Sequence, residues 1–393
     1  MSNLIILILF LLVLSYICSR QNIFSPGVIS CSIWLLCLVL WYIIPHPKLP
    51  GLNGKFAQAL TIWITLLCLG SLSMQSVKFK VTSTRLSPAV RDLYFWLSIA
   101  CIPFLLWFIW TAIHNGPSSY WAKNLRLAAI GKGSYAGTGE AYTPFYSLLW
   151  TATYLLYLID VNKTNWKRTL ISGCLVFAFA IATMSKTLVL NFGLMTLFML
   201  YSKQKLSVRH IMVALVILAF GLLFLHGMRS NKSLSESYVT RITEQYLLRN
   251  MPAFETLTPS SAEHNGEHVF RIYYAVAYKL GFSDIEPIDP ILPWVMKPIF
   301  TNTYTCLYPY FLDYGYWGVG IAALFWGLLI GCFFKCHQEG YKLFTLLYAY
   351  FFVMLVTQYN GDTAVTNLAG NIKMIIIICL PFLVGRMEAK RSE

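Results

Sequence analysis

The sequence predicts an all-α polytopic membrane protein of about eleven (10–12) transmembrane helices, with one large extracytoplasmic loop containing amphipathic helices. Three observations predict it. The chain of 393 residues is 57% hydrophobic and only 12% charged, about half the charge of a soluble domain. Its apolar runs repeatedly reach the roughly 17–25 residues that cross a bilayer. Its ionisable groups gather in one stretch: residues 227–306 hold eight of the sixteen acids and seven of the thirty Lys and Arg residues.

Taken in order, apolar runs at 4–19, 28–44, 57–73, 93–113, 143–159, 169–184, 187–201, 210–226, 308–334, 342–357 and 368–385 read as spans. The start, Met1-Ser2-Asn3, lacks a basic n-region and a cleavage pattern, so the first run reads as a retained helix, not a signal peptide. Leu170–Tyr201 is too long for one span at 1.5 Å per residue, so a turn at Ser185-Lys186 is expected to divide it. Charge then sets the sides. With that turn, sixteen basic residues fall on one side in short connectors or the tail: Arg20, Lys78, Lys80, Arg85, Arg91, Lys163, Lys167, Arg168, Lys203, Lys205, Arg209, Lys335, Lys342, Arg386, Lys390 and Arg391. The other side's short connectors hold Lys48, Lys55, Lys123, Arg126, Lys132 and Lys186. Short cytoplasmic loops collect Lys and Arg. The expected arrangement is therefore an outer N-terminus, a cytoplasmic C-terminus and an outward-facing big loop. The chain divides into a bundle of about eight helices (1–226), the loop (227–307) and about three helices with a tail (308–393).

The same rule accounts for the net charge of +14 without nucleic acid, which is excluded as a partner; the lipid bilayer is the expected one. The ten cysteines form no framework, and Cys332, Cys336 and His337 read as a helix end rather than a metal site.

In the loop, Ser235–Leu248 and Val269–Leu280 carry apolar residues at helical spacing and read as amphipathic helices on the membrane or the bundle. Thr258-Pro259-Ser260-Ser261 breaks the chain between them. Glu263-His264-Asn265-Gly266-Glu267-His268 is the densest titratable cluster. His264 and His268 are four apart, so a helix would put both on one face. Asn265 stands where a zincin motif needs Glu, so a general base (His264, His268 or Glu267) is favoured over a metal. Lys186, at a tight outward turn in an apolar stretch, is costly there and suggests an anion partner; snorkelling to the headgroups is the plainer reading. Arg229 follows the eighth span, and its fork suits phosphate oxygens. Lys186 and Arg229 together are candidates for a pyrophosphate, with Arg271 as a third. The Gly- and Tyr-rich Gly131–Tyr135 segment is a candidate lining. At 301–318, Asn302, Tyr304 and Asp313 are candidates for holding a sugar. An aromatic belt explains the rings there but not Asp313, which should be inward or paired.

The block Asn302-x-Tyr304-Thr305…Asp313-Tyr314-Gly315-x-x-Gly318 resembles the Wzy-type O-antigen and oligosaccharide repeat-unit polymerases of bacteria. The Ser185-Lys186 turn, where that family commonly has Ser-Arg, Arg229 after the next span, and the large outward loop add to the resemblance. It runs through roughly residues 140–330; Lys186 keeps the charge but loses the bidentate fork.

The resemblance implies a GT-C-like helical architecture and an enzyme of the bacterial inner membrane. Such enzymes move a growing glycan from undecaprenyl pyrophosphate onto the non-reducing sugar of a new lipid-linked repeat unit. The partners implied are undecaprenyl-pyrophosphate-linked oligosaccharides, a chain-length regulator and a flippase. No cofactor is implied, because the donor carries its own leaving group. Cations must stabilise the departing pyrophosphate, a base must take the acceptor proton, and a cavity must align both sugars. The alternatives are an O-antigen ligase and a lipid-linked oligosaccharide flippase. A transporter tends to show repeated halves and charges along its spans, which this chain lacks.

Overall fold

In hydrocarbon, a backbone must satisfy its N–H and C=O groups within its own segment, which leaves the helix as the form for apolar runs. The computed structural model describes residues 2–46, 48–79, 85–130, 143–230, 236–289, 292–296 and 298–392. Helix accounts for 72% of the described residues. Among the described residues there is no strand, only an isolated bridge between Val295 and Thr301.

A helix stands at each apolar run. They are α1 (Ser2–Cys18), α2 (Pro26–Ile43), α3 (Lys55–Gln75), α4 (Pro88–Ala100), α5 (Ile102–His114), α6 (Trp121–Ala129), α7 (Thr143–Ile159), α8 (Trp166–Ala182), α9 (Lys186–Ser202) and α10 (Val208–Ser230). The loop carries α11 (Glu236–Thr243), which runs into a π-turn at Glu244–Leu248, then α12 (Asn250–Glu255) and α13 (Arg271–Lys279). Helices α14 (Tyr308–Gln338), α15 (Lys342–Thr357) and α16 (Leu368–Ser392) follow. Among the described residues, six stretches are long and apolar enough to cross a bilayer: α2, α3, α4–α5 together, α10, α14 and α16. Helices α1, α7, α9 and α15 are apolar but shorter. The run around Lys186 does divide: α8 ends at Ala182 and α9 begins at Lys186. Met184 turns the chain at φ 48°, and the Ser185 hydroxyl caps α9 by accepting from the Leu188 N–H at 3.4 Å.

The chain forms two compact units. The first comprises Met1–Lys80, Glu236–Gly340 and Phe351–Asn371. Its core is the pairing of α3 with α14. A Cβ on Gly327 would lie 2.5 Å from the Leu67 carbonyl oxygen, and one on Gly70 would lie 2.9 Å from that of Leu324. Small residues there let two backbones touch, which is how helices associate where lipid is as apolar as leucine. The loop is fastened to α3 by reciprocal capping. Lys55 Nζ donates to the Glu255 and Leu257 carbonyls at 2.8 and 2.6 Å, while Glu255 Oε1 accepts from the Phe56 N–H at 3.1 Å. A cation thus closes the C-terminal end of α12 and an anion the N-terminal end of α3, each at its favourable dipole end.

The second unit comprises Val81–Ser235, Tyr341–Tyr350 and Ile372–Glu393. Its described acids lie at the end where α4 begins and α7 ends. Asp92 binds Arg168 at 2.7 Å and the Tyr157 hydroxyl at 2.6 Å. Asp160 binds Lys342 at 2.6 Å, and Glu388 accepts from the Ser87 hydroxyl at 2.8 Å. At the opposite end, α6 folds against α5 and α10, joining Ala122, Leu125 and Ala128 to Met184, Val189 and Leu225. The Gly131–Tyr135 segment, Lys80, Ser235 and Pro290 lie outside the described residues.

Candidate functional site

In the first unit, the site is organised by a break in α14. Gly315 has φ 60° and ψ −144°, a conformation in essence confined to glycine. The break frees carbonyls one turn earlier, and the loop takes them: the Ser260 N–H donates to the Phe311 oxygen at 3.1 Å and the Ala262 N–H to that of Leu312 at 3.2 Å. Asp313, 8% exposed, adds a side-chain anchor. Its Oδ2 accepts from the Val269 N–H at 2.8 Å and the His268 N–H at 3.2 Å. The sequence required Asp313 to be inward or paired; it is both. Its partners are loop amides, so its carboxylate is occupied in holding the loop.

Glu267 is likewise 8% exposed. Its carboxylate accepts from the Glu263 N–H at 3.1 Å and the His264 N–H at 3.3 Å, closing a tight turn around Gly266, whose φ is 75°. That turn corrects the expectation that a helix would put His264 and His268 on one face: residues 263–270 form turns and bends. His264 lies over Tyr274, with ring centroids 6.4 Å apart. His268 packs edge-on to Tyr308 at 5.4 Å, with Nε2 3.7 Å from Glu267 Oε1. Burial holds His268 below the ordinary imidazole range, against the opposing pull of Glu267. A neutral imidazole beside a carboxylate is what a general base near pH 7 requires.

The other loop candidates are also engaged. Tyr304 is 3% exposed, donates its hydroxyl proton to the Pro293 carbonyl at 3.0 Å and lies tilted against Tyr308, with ring centroids 4.6 Å apart. Burial raises its pKa. Asn302 is half-buried. Arg271 opens α13 and donates from Nε to the Ile288 carbonyl at 2.8 Å. Burial lowers its pKa, with Asp289 opposing. The structure thus gathers Glu267, His268, Tyr304 and Asp313 around Tyr308 and the start of α14, and leaves Arg271 tied to the far arm of the loop.

Sequence reasoning missed three supports in this unit. Asn250 is fully buried. Its amide donates to the Tyr246 and Tyr359 carbonyls at 2.8 and 2.9 Å and accepts from the Thr303 hydroxyl at 2.6 Å. Lys55 carries the reciprocal cap. Asp362 accepts from the Tyr310 hydroxyl at 3.0 Å and from the Val365 and Thr366 N–H groups at 2.8 and 2.9 Å, and burial raises its pKa. None belongs to a motif; each is a polar residue with at least one partner distant in sequence.

In the second unit, Lys186 is the first residue of α9 and lies half-buried. Its Nζ is 2.9 Å from His226 Nδ1 on α10. An ammonium has donors only, so in this contact Nδ1 is the acceptor. Arg229 lies three residues further along α10, one turn from His226 on the same helix face; its side chain lies outside the described part. No protein-family model, curated protein or solved structure matches the chain.

Proposed function

We propose that this chain is a membrane glycosyltransferase that polymerises lipid-linked oligosaccharide repeat units into O-antigen or a similar surface polysaccharide. The observation that carries the reading is the block Asn302–Gly318. It is the part of the chain that resembles the repeat-unit polymerases, and its Asp313 and Gly315 are the residues on which the loop with His268 and Glu267 is built. The charge pattern favours an outward-facing loop, an outer N-terminus and a cytoplasmic C-terminus in the bacterial inner membrane. Eleven crossings, including the short helices, and a GT-C-like architecture belong to the same proposal.

The chemistry then needs few parts. The growing chain leaves undecaprenyl pyrophosphate, and Lys186 and Arg229 stabilise the departing anion. His268, neutral and beside Glu267, takes the proton from the acceptor hydroxyl. Asp313 and Glu267 hold the loop in position through its amides, and Tyr304 and Asn302 shape the acceptor side. The substrates carry their own leaving group, so the reading uses no cofactor. A flippase supplies the units and a chain-length regulator limits them.

The test is a glycan ladder. Lys186→Ala or Arg229→Ala leaves protein level normal and reduces surface glycan to single repeat units. Long chains in both variants remove the anion site from the proposal. Loss of every unit from the final acceptor makes the chain a ligase instead.

A further inference from the structure

On a straight helix Tyr310 and Trp326 would stand about 24 Å apart along the axis, yet the Trp326 Nε1–H donates to the Tyr310 hydroxyl at 2.9 Å. A Cβ on Gly318 would collide with the Tyr310 carbonyl oxygen. The break at Gly315 therefore folds the opening turns of α14 back alongside the rest of that helix. The residues leading into them go the same way: Cys306 lines a cavity with Trp326 and Ile330, well past the break.

The same cavity reaches Trp63 and Leu67, near the middle of α3, and it reaches Asp362. Asp362 belongs to neither helix; it lies in the connection 358–367 between α15 and α16. A carboxylate beside the middle of two helices long enough to cross a bilayer is costly and calls for a partner. Its Oδ1 accepts from the Tyr310 hydroxyl, and its Oδ2 from the Val365 and Thr366 N–H groups. These donors are neutral, and no ion pair among the described residues includes Asp362.

Two irregular segments run side by side at this place. The Cys306 N–H donates to the Gln358 carbonyl at 2.8 Å, and a Cβ on Gly361 would lie 3.7 Å from the Tyr304 carbonyl oxygen. Thr305 therefore stands opposite Tyr359 and Asn360. It is fully buried. Its Oγ1 and the Asn360 Oδ1 are both buried without a hydrogen-bond partner, and two such oxygens in one short stretch need something that binds them. Gln358 fixes the wall beside them, accepting from Trp63 Nε1 at 3.0 Å and donating to the Ser30 hydroxyl at 2.8 Å.

We infer that Asp362, Thr305 and Asn360 form a site for one monovalent alkali cation, between the folded-back start of α14 and the connection from α15 to α16. Hard cations take oxygen ligands. The carboxylate Oδ1 keeps a lone pair beyond its bond from Tyr310, and Thr305 Oγ1 and Asn360 Oδ1 supply neutral oxygens. Charge sets the valence. A single positive charge cancels one carboxylate among neutral groups, whereas a divalent ion leaves a net charge away from water. The ion acts as a clasp between the two irregular segments. It lies next in the chain to Tyr304, which tilts against Tyr308, the ring that His268 packs on. No covalent bond is made or broken, and the site stands whether or not the chain polymerises glycans.

The test is equilibrium binding of radioactive sodium to the purified full chain in nanodiscs, with choline chloride holding the ionic strength constant. The wild type binds saturably, at about one ion per chain, and its thermal midpoint rises with sodium as mass action requires. Asp362→Asn loses about tenfold or more in affinity, because the charge goes while an acceptor for Tyr310 remains. Thr305→Val keeps the shape, removes one oxygen and weakens binding by roughly threefold or more. Circular dichroism shows whether each variant is folded; if Asp362→Asn is not, Thr305→Val carries the test. Displacement of sodium by potassium supports a site for alkali cations. No saturable sodium binding by the wild type, binding unchanged in either folded variant, or displacement by calcium at an about tenfold lower concentration than sodium overturns it. The glycan ladder judges the polymerase reading separately, so either can fail without the other.

Discussion

The Asp313 anchor gives the sharpest prediction, because it separates holding the loop from touching a sugar. Replacing Asp313 by alanine removes the acceptor for two N–H groups, those of His268 and Val269. Each orphaned buried donor costs about 1–3 kcal/mol. Removing the carboxylate also relieves its own desolvation, leaving a net cost of about 3 kcal/mol at the loop. At 1.4 kcal/mol per decade this opens residues 260–269 roughly 100-fold more often. Asp313→Asn keeps an oxygen in the Oδ2 position and loses only the charge assistance, about 1–1.5 kcal/mol, or roughly tenfold. Amide hydrogen exchange of the detergent-solubilised chain reads both numbers at His268 and Val269, with the core of α14 as internal control. The order of effect is alanine, then asparagine, then wild type. If Asp313→Ala exchanges within about twofold of wild type at these amides yet yields only single repeat units, the carboxylate works on substrate and the anchor argument fails.

Gly315→Ala forces a side chain into a conformation in essence confined to glycine, with its Cβ 3.2 Å from Ser260 Oγ. It costs about 1–3 kcal/mol, read as a lower thermal midpoint; an unchanged midpoint refutes the break as a fixed feature. Asn250→Ala removes three hydrogen bonds at a fully buried position and destabilises by about 2–4 kcal/mol, whereas a surface substitution such as Asp284→Asn leaves the midpoint in place. Burial lowers the pKa of His268, so the unfolded chain takes up this proton at a higher pH than the folded one. The group's contribution to stability is therefore unaffected above the unfolded value, about 6.5, and declines as pH falls below it toward the folded value. His268→Gln removes that decline, seen by comparing thermal midpoints at about pH 7.5 and 5.5; an unaltered slope shows that His268 titrates like an exposed imidazole.

Helices were legible where the signal was local. Apolar length marked the runs that became α2, α3, α10, α14 and α16, and the excess length of Leu170–Tyr201 located the turn between α8 and α9. Helical spacing found α13 and most of α11. What stayed hidden depended on the third dimension. His264 and His268 have helical separation, but Gly266 at positive φ and the Glu267 carboxylate bend that segment into a turn, and no spacing rule records such an override. Asp313 was legible as a residue needing a partner, not as the acceptor for amides 44 and 45 residues upstream. His226 faces Lys186 across forty residues of sequence, and lone polar residues in apolar runs give no pairwise signal.

The break at Gly315 also bears on where the chain tolerates change in length. At 1.5 Å per residue, the 31 residues of α14 amount to about 46 Å, well beyond the roughly 30 Å of a hydrocarbon core. Its opening turns therefore serve the loop rather than the span. Because Ser260 and Ala262 bond directly to Phe311 and Leu312, residues 260–268 are held in fixed register against that helix, as a strand is held against its neighbour. A single inserted residue there displaces every donor downstream of it. Among the described residues, those from Phe282, 82% exposed, to Asp289 make no backbone hydrogen bond to α14. An epitope tag placed between Phe282 and Ser283 leaves the chain assembled, whereas the same tag after Ala262 does not. The loop thus has two halves, one that tolerates a change of length and one that tolerates only a change in kind.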